Sequence, residues 1–167
     1  MQHTAAFMSQ KQDWTTPQAF FDYWNRIYRF TLDAAASHDN AKCDRYFTEA
    51  DDALTKDWDG VVWLNPPYGP GIGKWVRKAY QESQKVATVV MLIPARTETR
   101  WWHDYVMKAD HIVLVRGRMR FGGATINAPF PSCVVIFNSP KSFTTQFSTM
   151  NRILDAHNHG TENKNEQ

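Results

Sequence analysis

Cysteine is scarce in this chain, with only Cys43 and Cys133 among 167 residues. Two thiols so far apart give neither a metal-ligand spacing nor a disulfide framework. No apolar run approaches the roughly 18 residues that a membrane span needs. The first residues also lack the zones of a signal peptide. A reducing, cytoplasmic setting is the expectation. No Ser-His-Asp or Cys-His grouping and no His/Cys/Asp/Glu cluster with metal spacing can be found, so no metal is expected. Hydrolysis by an activated nucleophile is unsupported. No Gly-x-Gly follows the brief strand that ends at Asp33, which argues against the usual phosphate cradle there. Internal repeats are absent, and the length suits one domain with its own core.

An excess of charge of one sign is also missing overall, since the formal net charge is +2. The two signs are nevertheless segregated. Residues 1–65 hold six Lys/Arg against ten Asp/Glu, and residues 66–120 hold ten against four. An acidic front and a basic middle point to two different ligands, the second a polyanion. Solvated helix faces give the same asymmetry, so the pattern gains meaning only beside a site.

Aromatics are plentiful, with seven Trp, ten Phe and six Tyr. Some of these flat side chains are candidates to line a site for a planar ligand. Thr16-Pro17 predicts a helix start, Thr16 as N-cap and Pro17 at the first helical position. Phe20, Phe21, Trp24, Ile27 and Tyr28 then recur at helical spacing up to Arg29. Residues 30–32 predict a brief strand ending at Asp33, where a carboxylate followed by Ala34-Ala35-Ala36-Ser37 lets a ligand approach the backbone. A plain turn role for Asp33 is an equal alternative. Residues 45–48 read as a short strand and 51–54 as a turn. The interval up to residue 60 has room for one ordinary βα unit at most.

Val61-Val62-Trp63-Leu64 reads as a buried strand that Asn65-Pro66-Pro67-Tyr68-Gly69 stops abruptly. Each proline fixes its own φ and restricts the residue before it, so the turn is stiff and non-helical. It sits at the carboxyl end of a strand, where open α/β sheets bind ligands. A helix follows with Ile72, Trp75, Val76, Ala79 and Tyr80 on one face. Residues 88–93 form an apolar central strand. Thr97 is the predicted cap of a helix carrying Trp101, Trp102, Tyr105 and Val106, with Arg96 and Arg100 near its start. Residues 111–115 and 132–137 are further strands with no helix between them, hence antiparallel. Arg116, Arg118 and Arg120 open the connecting loop. An edge strand is one reading of them and phosphate contact the preferred one. Phe121 and Phe130 are candidates for stacking or for the core.

These elements predict one α/β domain with a mainly parallel sheet and an antiparallel final strand pair. The domain is expected over 14–138. Residues 1–13 and 157–167 are read as flexible, and 139–156 as a C-terminal segment with at most a weak helical signal. At the 65–68 turn, the Asn65 amide oxygen beside the Pro66 carbonyl offers two acceptors and no base. That pair suits an amino group whose two N–H bonds are held while its lone pair is aimed at an electrophile.

Asn65-Pro66-Pro67-Tyr68 resembles the catalytic motif of S-adenosylmethionine-dependent amino-group methyltransferases. The chain is similar, more closely, to the small phage-type (Dam-like) DNA N6-adenine methyltransferases. The similarity runs through Thr16-Pro17-x-x-Phe20-Phe21, Leu32-Asp33-Ala34-Ala35-Ala36-Ser37, Asn40-Ala41-Lys42-Cys43, Tyr46-Phe47-Thr48 and Val61 to Gly69. Ile93-Pro94-Ala95-Arg96-Thr97 and Gly117-Arg118 with Phe121 extend it over roughly 14–137. The resemblance implies a Rossmann-like class I domain and site-specific methylation of a flipped adenine in double-stranded DNA, in a bacterial or phage-infected cell. It implies that Asn65, Pro66, Pro67 and Tyr68 form the catalytic turn, with Tyr68 stacked on the base. Thr16, Pro17, Phe20, Asp33, Ala34 and Asp52 would meet S-adenosyl-L-methionine. Arg96, Arg100, Arg116, Arg118 and Arg120 would meet DNA. Two features depart from the family. Alanines replace the glycine-rich turn after the first strand, and the acid expected at the cofactor ribose is either Asp44 or Glu49. RNA or a protein glutamine as acceptor, or an inactive DNA-binding module, are the alternative readings.

Overall fold

The computed structural model describes residues 14–122, 124–137 and 145–153. The aromatic face read from the sequence forms α1 (Gln18–Tyr28), which buries Phe20, Phe21 and Trp24. Phe21 meets Trp63 edge-on, with ring centroids 5.5 Å apart. The helix begins one residue later than predicted. Pro17 takes the cap position with an extended ψ of 137°, and no side chain caps the helix. Thr16 is thus outside it, free to turn its buried side chain elsewhere. At the other end Arg29 adopts the left-handed conformation, and the Asn25 side chain accepts from the Phe30 N–H at 2.8 Å.

Six strands make one sheet: β1 (Leu32–Asp33), β2 (Val61–Leu64), β3 (Thr88–Pro94), β4 (His111–Arg116), β5 (Ser132–Phe137) and β6 (Gln146–Asn151). Their order across the sheet is β1-β2-β3-β5-β4-β6. β1, β2 and β3 pair in parallel, β5 pairs antiparallel with both β3 and β4, and β6 pairs in parallel with β4. Only β5 therefore runs against the rest, which agrees with the mainly parallel sheet and the antiparallel β4–β5 pair expected above. Sequence patterning misses β6, where a weak helix was expected. Five of its six residues are exposed, so it is held by backbone pairing to β4 rather than by a buried stripe. The predicted flexible ends, 1–13 and 157–167, lie outside the described residues.

α2 (Ile72–Ser83) packs on β3 through Val76 and Ala79. α3 (Arg100–Asp104) is shorter than predicted, and its cap is Thr99, not Thr97. The Thr99 hydroxyl accepts from the Trp102 N–H at 3.3 Å. Between β1 and β2 the chain makes no α-helix. The predicted 45–48 strand shrinks to a single bridge from Asp33 to Tyr46, and two 3₁₀ turns follow at Glu49–Asp51 and Ala53–Thr55. No helix among the described residues is long and apolar enough to cross a membrane.

Among the polar groups taken into the core is a carboxylate with three donors. Glu82 is 1% exposed and accepts from Lys78 Nζ at 2.6 Å, Lys85 Nζ at 3.1 Å and the Trp58 N–H at 3.0 Å. Burial alone would raise its pKa, but these donors outweigh it and hold the carboxyl below its usual range. Its stabilisation is present above the ordinary carboxylate pKa and is lost as pH falls through the lowered one. Glu82→Ala leaves the Trp58 N–H without its partner. Thermal or urea unfolding is expected to show a loss of about 1–3 kcal/mol.

Candidate active site

Because five strands run one way, their carboxyl ends meet at one edge. Asp33 ends β1, Asn65 follows β2, Ala95 and Arg96 follow β3, and Arg116 ends β4. The reversed β5 brings its amino end there as well, with the Ala95 N–H donating to Pro131 O at 2.9 Å. Strand pairing places Asp33 beside Trp63, and the Ala34 N–H donates to Trp63 O at 3.0 Å. The acidic and the amide residues are therefore neighbours across two strands.

Asn65 is the most constrained of them. Its Nδ2 donates to the main-chain carbonyl of Trp14. Its Oδ1 is buried and meets no donor among the described residues. Leaving a buried acceptor unpaired costs about 1–3 kcal/mol. Trp24 Nε1 and Ser132 Oγ are buried and unpaired as well, but of the three residues only Asn65 borders the cavities, where a ligand donor can reach it. Pro66 is buried and Pro67 exposed, so the turn presents one proline to the core and one to the opening. Tyr68 is only 6% exposed, and its hydroxyl donates to Leu92 O at 3.1 Å. Its ring stands edge-on to Phe121 and Phe130, at 6.0 and 5.5 Å. Trp14 meets the same two rings at 5.5 and 5.3 Å. These four aromatic rings thus pack against one another beside Asn65. Sequence alone left Phe121 and Phe130 between stacking and core; Phe121 is buried in the core and Phe130 is half-buried against it.

Asn65 also borders two cavities. A pocket of about 20 Å³ is lined by Thr16, Asp33, Asn40, Lys42 and Asn65. An open groove of about 1000 Å³ runs past Ala35, Phe47, Glu49, Asp52, Asn65 and Trp75. Asp33 is 3% exposed. Its two oxygens accept from the Ala35 N–H at 3.3 Å and the Lys42 N–H at 3.0 Å. Burial pushes its carboxyl pKa above the usual range, and those two N–H groups with the Lys42 charge offset only part of that rise. A buried carboxylate with a raised pKa beside a cavity is a place for a cation. Asp52, left-handed at φ 51°, joins the two 3₁₀ turns and lines the groove. The preceding turn is closed by Asp51, whose Oδ2 accepts from the Thr48 N–H and hydroxyl at 2.7 and 2.8 Å.

Of the six predicted cofactor residues, Thr16, Asp33 and Asp52 border these cavities. Pro17, Phe20 and Ala34 line neither. Phe20 and Ala34 are buried in the core beneath, and Pro17, buried as well, takes the cap position of α1. Of the two acids left open above, Glu49 lines the groove and Asp44 does not. Asn40, Lys42, Phe47 and Trp75 had no assigned role, although the first three lie within the motifs quoted for the resemblance. Trp14 gave no signal at all. Burial pushes the Cys43 thiol up to about 12, with Asp33 and Asp44 adding to it, so no thiolate is available beside the groove. Arg100, Arg116 and Arg118 are exposed, Arg96 is ion-paired to Glu98 at 2.8 Å, and Arg120 donates to Asn127 Oδ1 at 3.0 Å. Among the described residues no group of three or more His, Cys, Asp or Glu is placed to hold a metal ion.

Comparison with known proteins adds three findings. The family model DNA N-6-adenine-methyltransferase (Dam) matches residues 3–161. A protein of Escherichia phage T1 named DNA N-6-adenine-methyltransferase is 33% identical over 106 residues, which cover 61% of this chain and 44% of its own. One of the same name from Haemophilus phage HP1 is 34% identical over 110 residues, 64% of either chain. The match thus spans less than two thirds of each relative's length.

Proposed function

Because the chain belongs to the DNA N-6-adenine-methyltransferase (Dam) family, we propose that it methylates the N6 amino group of adenine in double-stranded DNA. The methyl donor is S-adenosyl-L-methionine. The observation that carries this reading is the buried, unpaired Asn65 Oδ1 at the strand-end turn. An amino group is the donor that such an acceptor lacks. Both named phage relatives act, by their names, on N6 of adenine in DNA. The single reversed strand in an otherwise parallel sheet is compatible with a Rossmann-like class I methyltransferase domain over 14–138. The described 145–153 segment then completes its edge.

The acidic side of the site fits the cationic cofactor. Asp33, Glu49 and Asp52 offer carboxylates to the pocket and groove, and the groove volume accommodates a nucleoside with an amino-acid tail. S-adenosyl-L-methionine supplies an electrophilic methyl group on a sulfonium. This chain's residues bind and orient: Asp33 holds the ammonium end, and Asn65 Oδ1 with the Pro66 carbonyl accepts the two amino hydrogens. Held in that way, the adenine N6 lone pair is directed at the electrophile, and alignment rather than a general base provides the rate. The base must leave the duplex to reach Asn65. Tyr68, with its hydroxyl tethered to Leu92 O, is the ring next to the turn that would stack on the base.

The test is expression in cells devoid of N6-methyladenine, followed by mass spectrometry of nucleosides from their DNA. N6-methyladenine in DNA is expected. Methyl groups on RNA or on protein glutamine instead would move the acceptor. Salt-sensitive DNA binding without heat-stabilisation by the cofactor would mean an inactive binding module. Basic residues at the same edge supply a second test. Replacing Arg116 and Arg118 by Ala together should weaken binding to any duplex and lower the salt slope by about two, one for each phosphate no longer neutralised. The affinity for cofactor should not change.

A further inference from the structure

An amide has two ends that look alike in shape and are opposite in chemistry. Which end of Asn65 faces the target is therefore not decided by packing. It is decided by the Trp14 carbonyl, which can only accept and so draws Nδ2 toward itself. Oδ1 is then forced to the other side, where it lies buried and unpaired. Without that carbonyl the amide can turn over at almost no steric cost and present its NH₂ to an amino group, donor against donor.

Trp14 is itself held from one loop, that between β4 and β5. Its indole stands against Phe121 and Phe130, and the carbonyl of the next residue, Thr15, accepts from the Gly122 N–H at 2.9 Å. We propose that Trp14 is a positioning residue for methyl transfer: its main-chain carbonyl, anchored by the 121–130 loop, locks the Asn65 amide with its oxygen toward the target amine. This rests on the reading of Asn65 as the acceptor of the amino hydrogens. It assigns no contact with DNA or cofactor to Trp14.

Single-turnover methyl transfer at saturating cofactor and DNA is the measurement, with cofactor binding by calorimetry and melting temperature beside it. Trp14→Ala, which frees the carbonyl from its anchor, should slow transfer by at least about tenfold while cofactor affinity stays within about twofold. Trp14→Phe keeps an aromatic anchor and should restore most of the rate. Combined with Asn65→Ala, Trp14→Ala should add no further loss, because the side chain it orients is already gone. A rate for Trp14→Ala within about twofold of the parent, or losses that multiply in the double variant, would overturn the proposal. If Trp14→Ala fails to fold, Asn65→Asp decides with Trp14 untouched. A carboxylate facing the Trp14 carbonyl sets acceptor against acceptor. Its transfer rate should therefore fall, relative to the parent's, as pH rises and the carboxyl loses its proton; a profile parallel to the parent's would overturn the lock. Full methylation by Asn65→Ala would instead remove the Asn65 assignment itself, whatever Trp14 does.

Discussion

Asn65→Ala is expected to lower the methyl-transfer rate constant by about two to three orders of magnitude, the loss typical of removing a preorganised polar group from a reacting centre. The same variant should bind cofactor nearly as well as the parent, because Asp33 and the groove residues that would hold it are untouched. Stability should change by no more than about 1 kcal/mol. The substitution removes a buried acceptor that has no donor, which is favourable, and deprives the Trp14 carbonyl of its partner, which is not. A large catalytic loss with an unmoved melting temperature would distinguish a functional amide from a structural one. Restriction protection assays and radiolabelled methyl incorporation both read it, and retained activity would refute the role. Truncating Pro67 tests less, since its ring is exposed and holds little.

Where the fold was legible, the reason lies in burial and in proline or glycine stops. β2, β3 and β5 are nearly wholly buried and end or begin at Asn65-Pro66, Pro94 and Pro131, so apolar runs and breakers mark both their nature and their edges. The positions just past the carboxyl ends of β2 and β3 followed, and with them Asn65 and Arg96. β6 was illegible because nothing about Gln146–Asn151 is periodic; an exposed edge strand is stabilised through main-chain bonds that any side chain allows. The stretch from 34 to 60 failed for a different cause. It is built from 3₁₀ turns, a left-handed Asp52 and side-chain caps, none of which has a long repeat. The cap in which Asp51 Oδ2 accepts from the Thr48 N–H was not read from the sequence either. Trp14 was beyond reach because its hydrogen bond to Asn65 spans 51 residues of sequence. Such contacts follow from the topology that closes the edge, and local patterning carries no trace of them.

Asp33→Asn is expected to weaken cofactor binding by about ten- to hundredfold, the worth of a charge-assisted hydrogen bond in the range of about 1.5–3 kcal/mol. The pH dependence follows from the raised pKa. Burial disfavours the ionised Asp33, so the folded protein holds that proton to a higher pH than the unfolded chain does. The contribution of Asp33 to stability is therefore complete below the unfolded pKa and is lost as pH rises through the folded one. Exposed Asp51, Asp57 and Glu98 behave oppositely. Their carboxyls are held low by Thr48, Lys85 and Arg96 respectively, and what they stabilise is lost as pH falls. Above its folded pKa, Asp33 is a buried anion awaiting a cation, and the cofactor's ammonium relieves it. Cofactor affinity should consequently fall as pH drops through that raised value, and the melting-temperature gain from cofactor should shrink over the same window. The amide of the Asp33→Asn variant cannot titrate, so its weaker affinity should be flat there. Calorimetric titrations of both proteins across the acidic range check this; parallel profiles would move the cationic end of the cofactor away from Asp33, towards Glu49 and Asp52 on the open groove.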